Sequence, residues 1–236
     1  MITFDILTIF PEMFSCYFDS SMLGRAQKKK LIKIRVHNLR DFTKDKHKIT
    51  DDLAYGGISG MVMKVEPIYR AVQKLKIKGG LTALRKKSRV ILLSAKGKVL
   101  TQEKVRRFAK YDQIILIAGH YKGVDERVAK HIADEELSVG EYVITGGEVP
   151  AMIVVDAVSR MIKGVIGDEA SKEGESFSIL GRSGRPRERV KHEHGVYTRP
   201  AVFSPKKGVR WEVPEVLLSG HHAKIEEWRE AQRNKA

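Results

Sequence analysis

Three short stretches of this 236-residue chain carry residue types suited to holding a flat ligand by its edges. Ser94-Ala95-Lys96-Gly97, Gly119-His120-Tyr121-Lys122-Gly123 and Thr145-Gly146-Gly147 each follow a run of apolar residues. Glycine removes the side chain that would keep a ligand away from main-chain N–H and C=O groups, so the three together outline a nucleoside pocket. Any one of them alone reads as an ordinary turn. Neither G-x-G-x-x-G nor G-x-x-x-x-G-K-[ST] occurs, so no dinucleotide fingerprint or triphosphate loop is signalled. His221-His222 is a weaker feature, because adjacent histidines at a helix entry point in different directions and no third ligand is obvious; no metal site is expected. Glu173 and Glu175, read by themselves, are solvated acids beside a basic stretch. Cys16, the only cysteine, excludes a disulfide framework and fits a reducing cytoplasm; it is expected to be a small buried hydrophobe.

The charge is uneven. Residues 24–48 carry a net +8 and residues 178–210 a net +7, which together hold the whole surplus of +15. Clustering of this kind is the electrostatic footprint of a polyanion binder. A solvated, solubilising surface is the plainer alternative. Neither segment opposes a lysine-rich face to a bulky apolar one, and no run approaches the roughly 18 apolar residues of a membrane span, so a membrane partner is not expected. The opening Met1 to Phe14 lacks a basic start and is broken by Asp5, Pro11 and Glu12, which does not read as a signal peptide.

The elements that must position these turns follow from periodicity. Ile2 to Thr8 reads as a strand feeding a helix with Pro11 in its first turn, and Leu31 to Val36 as a second strand. Asp51 to Met63 is glycine-rich and expected as a loop; Pro67 to Leu75 is amphipathic and helical. Val90–Leu93, Gln113–Ala118 and Leu137–Ile144, the last with Gly140 inside it, read as buried strands alternating with helices from Thr101, through Asp125 and from Glu148 to about Met161. That alternation indicates an α/β domain with a parallel sheet covered on both faces, whose ligands bind beyond the carboxyl ends of the strands. After Gly164 the pattern dissolves. Gly167 to Gly195 looks like a long mobile connector, followed by a small unit with a helix over Ile225 to Gln232. The expected division is 1–164, a linker over 165–200, and a mainly helical domain over 201–236.

Several words in fixed order carry a resemblance. They include Ile9-Phe10-Pro11-Glu12-Met13-Phe14, Asp51-Asp52 with Tyr55-Gly56-Gly57, Gly119-His120-Tyr121 with Gly123-Val124-Asp125-Glu126-Arg127, Ser138 to Ala151, and Val213 to His222. With them the chain resembles, over nearly its whole length, the bacterial tRNA (guanine-N1)-methyltransferases. The resemblance implies a knotted methyltransferase domain of the SPOUT type, with a trefoil near Leu93 to Gly147 that base rates alone would argue against. It further implies S-adenosyl-L-methionine as cofactor, tRNA as substrate, a homodimer whose partner completes the site, a cytoplasmic enzyme, and magnesium as a candidate ion.

The resemblance also assigns residues. Leu92, Leu93, Ser94, Gly119, Tyr121, Ser138, Val139, Gly140, Tyr142, Ile144, Gly146 and Gly147 would line the methyl donor's pocket. Asp51, Gly56, Gly57 and Ser171 would contact the tRNA near the target base, and Arg182, Arg185 and Arg187 would grip its phosphates. Arg160 would face the guanine, and the catalytic base falls at Glu175, with Glu173 competing if the register slips. Relatives usually carry Asp at that place, so the carboxylate here reaches about one methylene further. Lys122 stands where relatives tend to carry Glu, which removes a partner for the methyl donor's amino group or for a metal. Two rival readings are a ribose 2′-O-methyltransferase of the same superfamily and a non-catalytic RNA-binding module.

Overall fold

The computed structural model describes residues 1–57, 59–76, 87–168, 175–180, 188–189 and 192–233. They divide into two compact units, Met1–Gly167 and Asp168–Ala236. In chain order the first unit begins with β1 (Ile2–Thr8), α1 (Ser15–Phe18), α2 (Ser21–Lys28), β2 (Ile32–Asn38), β3 (Asp51–Leu53), β4 (Met61–Met63) and α3 (Val65–Leu75). It continues with β5 (Ser88–Val99), α4 (Gln102–Phe108), β6 (Gln113–Ala118), α5 (Glu126–His131), β7 (Glu135–Ser138) and α6 (Glu148–Ser159).

Five of the strands form one parallel sheet in the order β2-β1-β6-β5-β7. Side chains alternate across it, so its two faces build two cores. Phe4, Ile6, Ile91, Leu93, Ile114 and Leu116 pack against α1, α2, α4 and α6. Leu7, Val90, Leu92, Ile115 and Ile117 pack against α3 and α5. Burial on both faces explains why β6 is apolar throughout except at its first residue, Gln113, and why these strands read as continuous apolar runs.

One charged group sits inside the sheet. Asp5, fully buried on β1, accepts from Arg35 Nε at 2.7 Å and Nη2 at 2.8 Å, and lies 2.7 Å from His37 Nε2. Gln113 Nε2 adds a further donor at 2.8 Å and also reaches the Leu75 carbonyl. Burial pushes the carboxyl up, but the hydrogen bonds from His37, Arg35 and Gln113 outweigh it and hold Asp5 below its ordinary value.

Four local expectations are corrected. Asp51 to Met63 is an antiparallel hairpin of β3 and β4 rather than a plain loop; Gly56, Gly57 and Gly60 take the positive φ that its tip needs. β5 runs on past Leu93 to Val99, with Ser94 to Gly97 as an irregularity within it: Leu137 opposes both Leu93 and Lys98. β7 ends at Ser138, so Val139 to Ile144 is not a strand. Cys16 is exposed, not buried.

The second unit holds β8 (Ile179–Leu180) paired with β9 (Glu188–Arg189), the hairpin β10 (Val202–Lys206) and β11 (Val209–Glu212), and the helices α7 (Glu215–Leu218) and α8 (His222–Gln232). The hairpin, which no sequence pattern announced, brings the exposed rings of Phe203 and Trp211 to 5.6 Å. No helix among the described residues is long and apolar enough to cross a membrane.

Candidate active site

The carboxyl ends of β6 and β7, with the irregularity of β5 between them, open on a cleft of about 300 Å³, lined by residues 92–96, 119–124, 136–139 and 142–147 with Glu126, Ala129 and Pro150. That volume falls at the lower end of small-molecule sites. All three glycine-bearing turns contribute to it. The first is the β5 irregularity, where Gly97 lies so close to the Glu136–Leu137 backbone that a Cβ would overlap it. The second is a tight turn closed by the Gly123 N–H donating to the His120 carbonyl at 3.0 Å. Its Tyr121 adopts φ +60°, a strained setting for a non-glycine residue of a kind that concentrates at functional sites. The turn is held from outside: the Lys122 N–H donates to the Met61 carbonyl, and Met63 of β4 exchanges backbone bonds with Gly123 and Asp125. The β3–β4 hairpin, which carries Asp51, Gly56 and Gly57, is thereby fastened beside the cleft.

The third loop lies directly on the end of β6. The Gly147 N–H donates to the Gly119 carbonyl at 2.7 Å, and a Cβ at Gly147 would sit 2.6 Å from the Ala118 Cα. Only glycine permits that approach. Directly after it, Glu148 opens α6 with its carboxylate buried. The Thr8 hydroxyl donates to Glu148 Oε1 at 2.8 Å and itself accepts from the Phe10 N–H at 2.9 Å. Glu148 Oε2 is 3.6 Å from His120 Nδ1, and the Phe10 ring stands edge-on to the imidazole at 4.9 Å. A carboxylate in the first turn is also favoured by the helix dipole. These contacts tie the end of β1 to the second and third loops of the cleft.

At the rim Lys96 Nζ donates to Glu126 Oε2 at 2.8 Å. The hydrogen bond raises the Lys96 ammonium and lowers the Glu126 carboxyl. Both side chains are largely exposed, so the pair contributes little to stability.

The twelve residues expected to line the methyl donor's pocket converge on this cleft with one exception. Gly140 is not among the lining residues; its carbonyl and N–H both engage the Ser138 hydroxyl. The loop that follows presents apolar surface, since Tyr142, Val143 and Ile144 are exposed. Among the described residues, no group bonds to the backbone of residues 142–145. A flat base would find apolar cover and unclaimed N–H and C=O groups there. Arg160 caps the far end of α6, half-buried. Glu175 belongs to the second unit and is half-buried, its carbonyl accepting from the Ser178 N–H at 3.0 Å. Ser171, Glu173, Arg182, Arg185 and Arg187 lie outside the described residues. Sequence reading missed Glu136 as a cleft residue. Reading β7 from Glu135 rather than Leu137 would have placed it opposite Leu92, on the cleft side. No group of three or more potential metal ligands gathers among the described residues.

A parallel α/β sheet with a glycine-walled cleft at its carboxyl edge places the chain among α/β proteins whose ligand sites lie beyond the strand ends. Comparison with known proteins narrows this. Residues 2–236 match the family described as tRNA (guanine-1)-methyltransferase, TrmD, and the chain belongs to that family. It is 46% identical over 230 residues to a tRNA (guanine-N(1)-)-methyltransferase of Ruminiclostridium cellulolyticum, covering 96% of this chain and 88% of the relative. A protein of the same name from Dictyoglomus turgidum is 48% identical, covering 97% and 84%. One from Dehalococcoides mccartyi is 46% identical, covering 95% and 83%.

Proposed function

We propose that this chain transfers a methyl group from S-adenosylmethionine to N1 of guanosine 37 of tRNA, the residue just 3′ of the anticodon. The observation that carries the reading is a cleft with apolar cover and unclaimed backbone groups, at the carboxyl edge of the sheet, in a chain of this family. When bound there, S-adenosylmethionine supplies an electrophilic methyl group on a sulfonium. The protein's tasks are then alignment and proton management. Guanine N1 carries a proton and is a poor nucleophile until that proton leaves. Glu175 accepts it as general base, and the Arg160 guanidinium stabilises the negative charge that moves onto O6. Asp51 and the Gly56–Gly57 tip present the base, and the basic segments hold the tRNA phosphates.

The working enzyme is a homodimer with shared sites, acting in the cytoplasm. Gly147 marks the cleft end of α6, and Arg160 stands at the other end, roughly 20 Å away along the axis. A guanidinium that distant serves the cleft of a second copy rather than its own. The outer face of α6 supports this, since Val149 and Ile153 lie one turn apart on it and both are substantially exposed. The same superfamily reading makes the chain between Leu93 and Gly147 a trefoil knot, for which the close crossings at Gly97 and Gly147 are the supporting geometry. Magnesium is assigned no ligands at the 120–123 turn, because Lys122 brings a cation to that wall of the cleft.

The test is methylation of a tRNA transcript followed by location of the modified base. Methyl on N1 of guanosine 37 is expected; methyl on a ribose would defeat the assignment. Glu175→Gln should lower the methylation rate by about 10²–10⁴ while S-adenosylhomocysteine still binds. Full activity in that variant, with loss in Glu173→Gln, would move the base to Glu173.

A further inference from the structure

Two adjacent carboxylates on β7 meet opposite fates. Glu135 is held by Arg89 Nε at 2.9 Å and by Arg107 Nη2 at 2.7 Å. Glu136 points to the other face of the sheet, opposite Leu92, and lines the cleft. Its Oε2 has almost no accessible surface and no hydrogen-bond partner among the described residues. Lys96, a cation on the same wall, is engaged by its bond to Glu126 at 2.8 Å. A carboxylate oxygen that has lost water without gaining a donor costs the fold free energy. Such a cost persists where a ligand removes it, and the geometry here offers a specific kind of ligand. Glu136 sits at the strand end beside Leu137 and Ser138, whereas the apolar cover for a base lies further along, at residues 142–144. A nucleoside laid with its base on that cover brings its sugar to the strand ends. Two neighbouring hydroxyls match the two oxygens of a carboxylate, both as donors to an acceptor-only group. Lys96 and Lys122 on the same walls disfavour an ammonium in that place.

We propose that Glu136 is a methyl-donor-binding residue, whose carboxylate accepts hydrogen bonds from the vicinal ribose hydroxyls of the S-adenosyl group. The inference rests on the cleft being the S-adenosyl site. It assigns to a side chain a part of recognition that the glycine turns leave to backbone groups, and a turn of the carboxylate toward the cleft on binding gives the unpartnered oxygen its donor.

The experiment is calorimetric titration of the full-length protein with S-adenosylhomocysteine and with its 2′-deoxy and 3′-deoxy analogues. Wild type should bind the parent compound and lose affinity for each analogue. Glu136→Gln should bind the parent about 10- to 100-fold more weakly, the loss of a charge-assisted pair, and should no longer distinguish the parent from the analogues. Glu136→Asp keeps the charge but withdraws the oxygens, and should fall between the two. The ligand-free Tm of Glu136→Gln should equal or exceed that of wild type, because the negative charge beside a buried oxygen without a donor has been removed. No binding by wild type would remove the cleft reading itself. Binding by wild type with an unchanged Kd in Glu136→Gln would remove only Glu136. So would a uniform loss that leaves the hydroxyl discrimination intact, or a lowered ligand-free Tm, which marks a structural role.

Discussion

Three of the carboxylates with buried oxygens in the first unit show how surroundings decide what a charge can do. Asp5 is met by Arg35, His37 and Gln113, Glu148 by the Thr8 hydroxyl, and Glu136 Oε2 by no group of the described chain. For Asp5 the consequence is stability. Its carboxyl titrates below its ordinary value in the folded protein, so its contribution is complete above the unfolded pKa and disappears as pH falls through the folded one. Asp5→Asn keeps the shape but leaves Arg35 and His37 facing a neutral amide. The variant should be less stable by about 3 kcal/mol near neutral pH, the scale set by breaking a buried pair. Urea midpoints for the two proteins should differ by a constant amount down to about pH 5 and converge below about pH 4. A gap that widens on acidification would contradict the network.

Elements carry the next level of constraint, because the cleft exists only where separate strands end together. β1, β6 and α3 were legible from apolar runs and helical spacing, since burial on a face leaves a period in the sequence. The end of β7 was not: Val139, Tyr142, Val143 and Ile144 look like strand residues, yet most of their apolar surface faces outward at the cleft and not into the core. The β3–β4 hairpin hid behind the glycines of its own tip. The second half of β5 hid because Lys96-Gly97-Lys98 has no apolar pattern at all. The glycine turns of the site were visible as residues, but the Thr8–Glu148–His120 contact spans 140 positions between its first two members and follows only from topology. Gly147 is where element packing and site coincide. Gly147→Ala places a methyl group 2.6 Å from the Ala118 Cα, so β6 and the third loop must separate. Overpacking of this kind costs about 1–3 kcal/mol; a lowered denaturation midpoint and a loss of S-adenosylhomocysteine binding should appear together. Binding at wild-type strength would mean that the loop can lift without opening the cleft.

At the scale of the whole molecule the surplus of fifteen positive charges has to be divided between groups that serve the fold and groups that face a partner. Arg35 is committed to Asp5, Arg89 and Arg107 to Glu135, and Arg127 to Asp125. Lys28, Lys29 and Lys30 at the end of α2 are exposed and have no acid to pair with among the described residues. Arg182, Arg185 and Arg187, outside the described residues, lie in the other basic segment, where acids are scarce. Charges of this second kind bind a polyanion by releasing its counterions, and that leaves a signature in salt dependence rather than in affinity at one condition. Replacing Arg182, Arg185 and Arg187 by Gln should weaken tRNA binding and reduce the slope of log K against log salt by about 2–3, close to one for each phosphate no longer neutralised. The Tm and the affinity for S-adenosylhomocysteine should not move, since none of the three is assigned to the cleft. The same triple change at Lys28, Lys29 and Lys30 measures the other segment. If the slope holds after the arginine changes and falls after the lysine changes, tRNA is held by the first unit alone, and the second basic segment serves solubility.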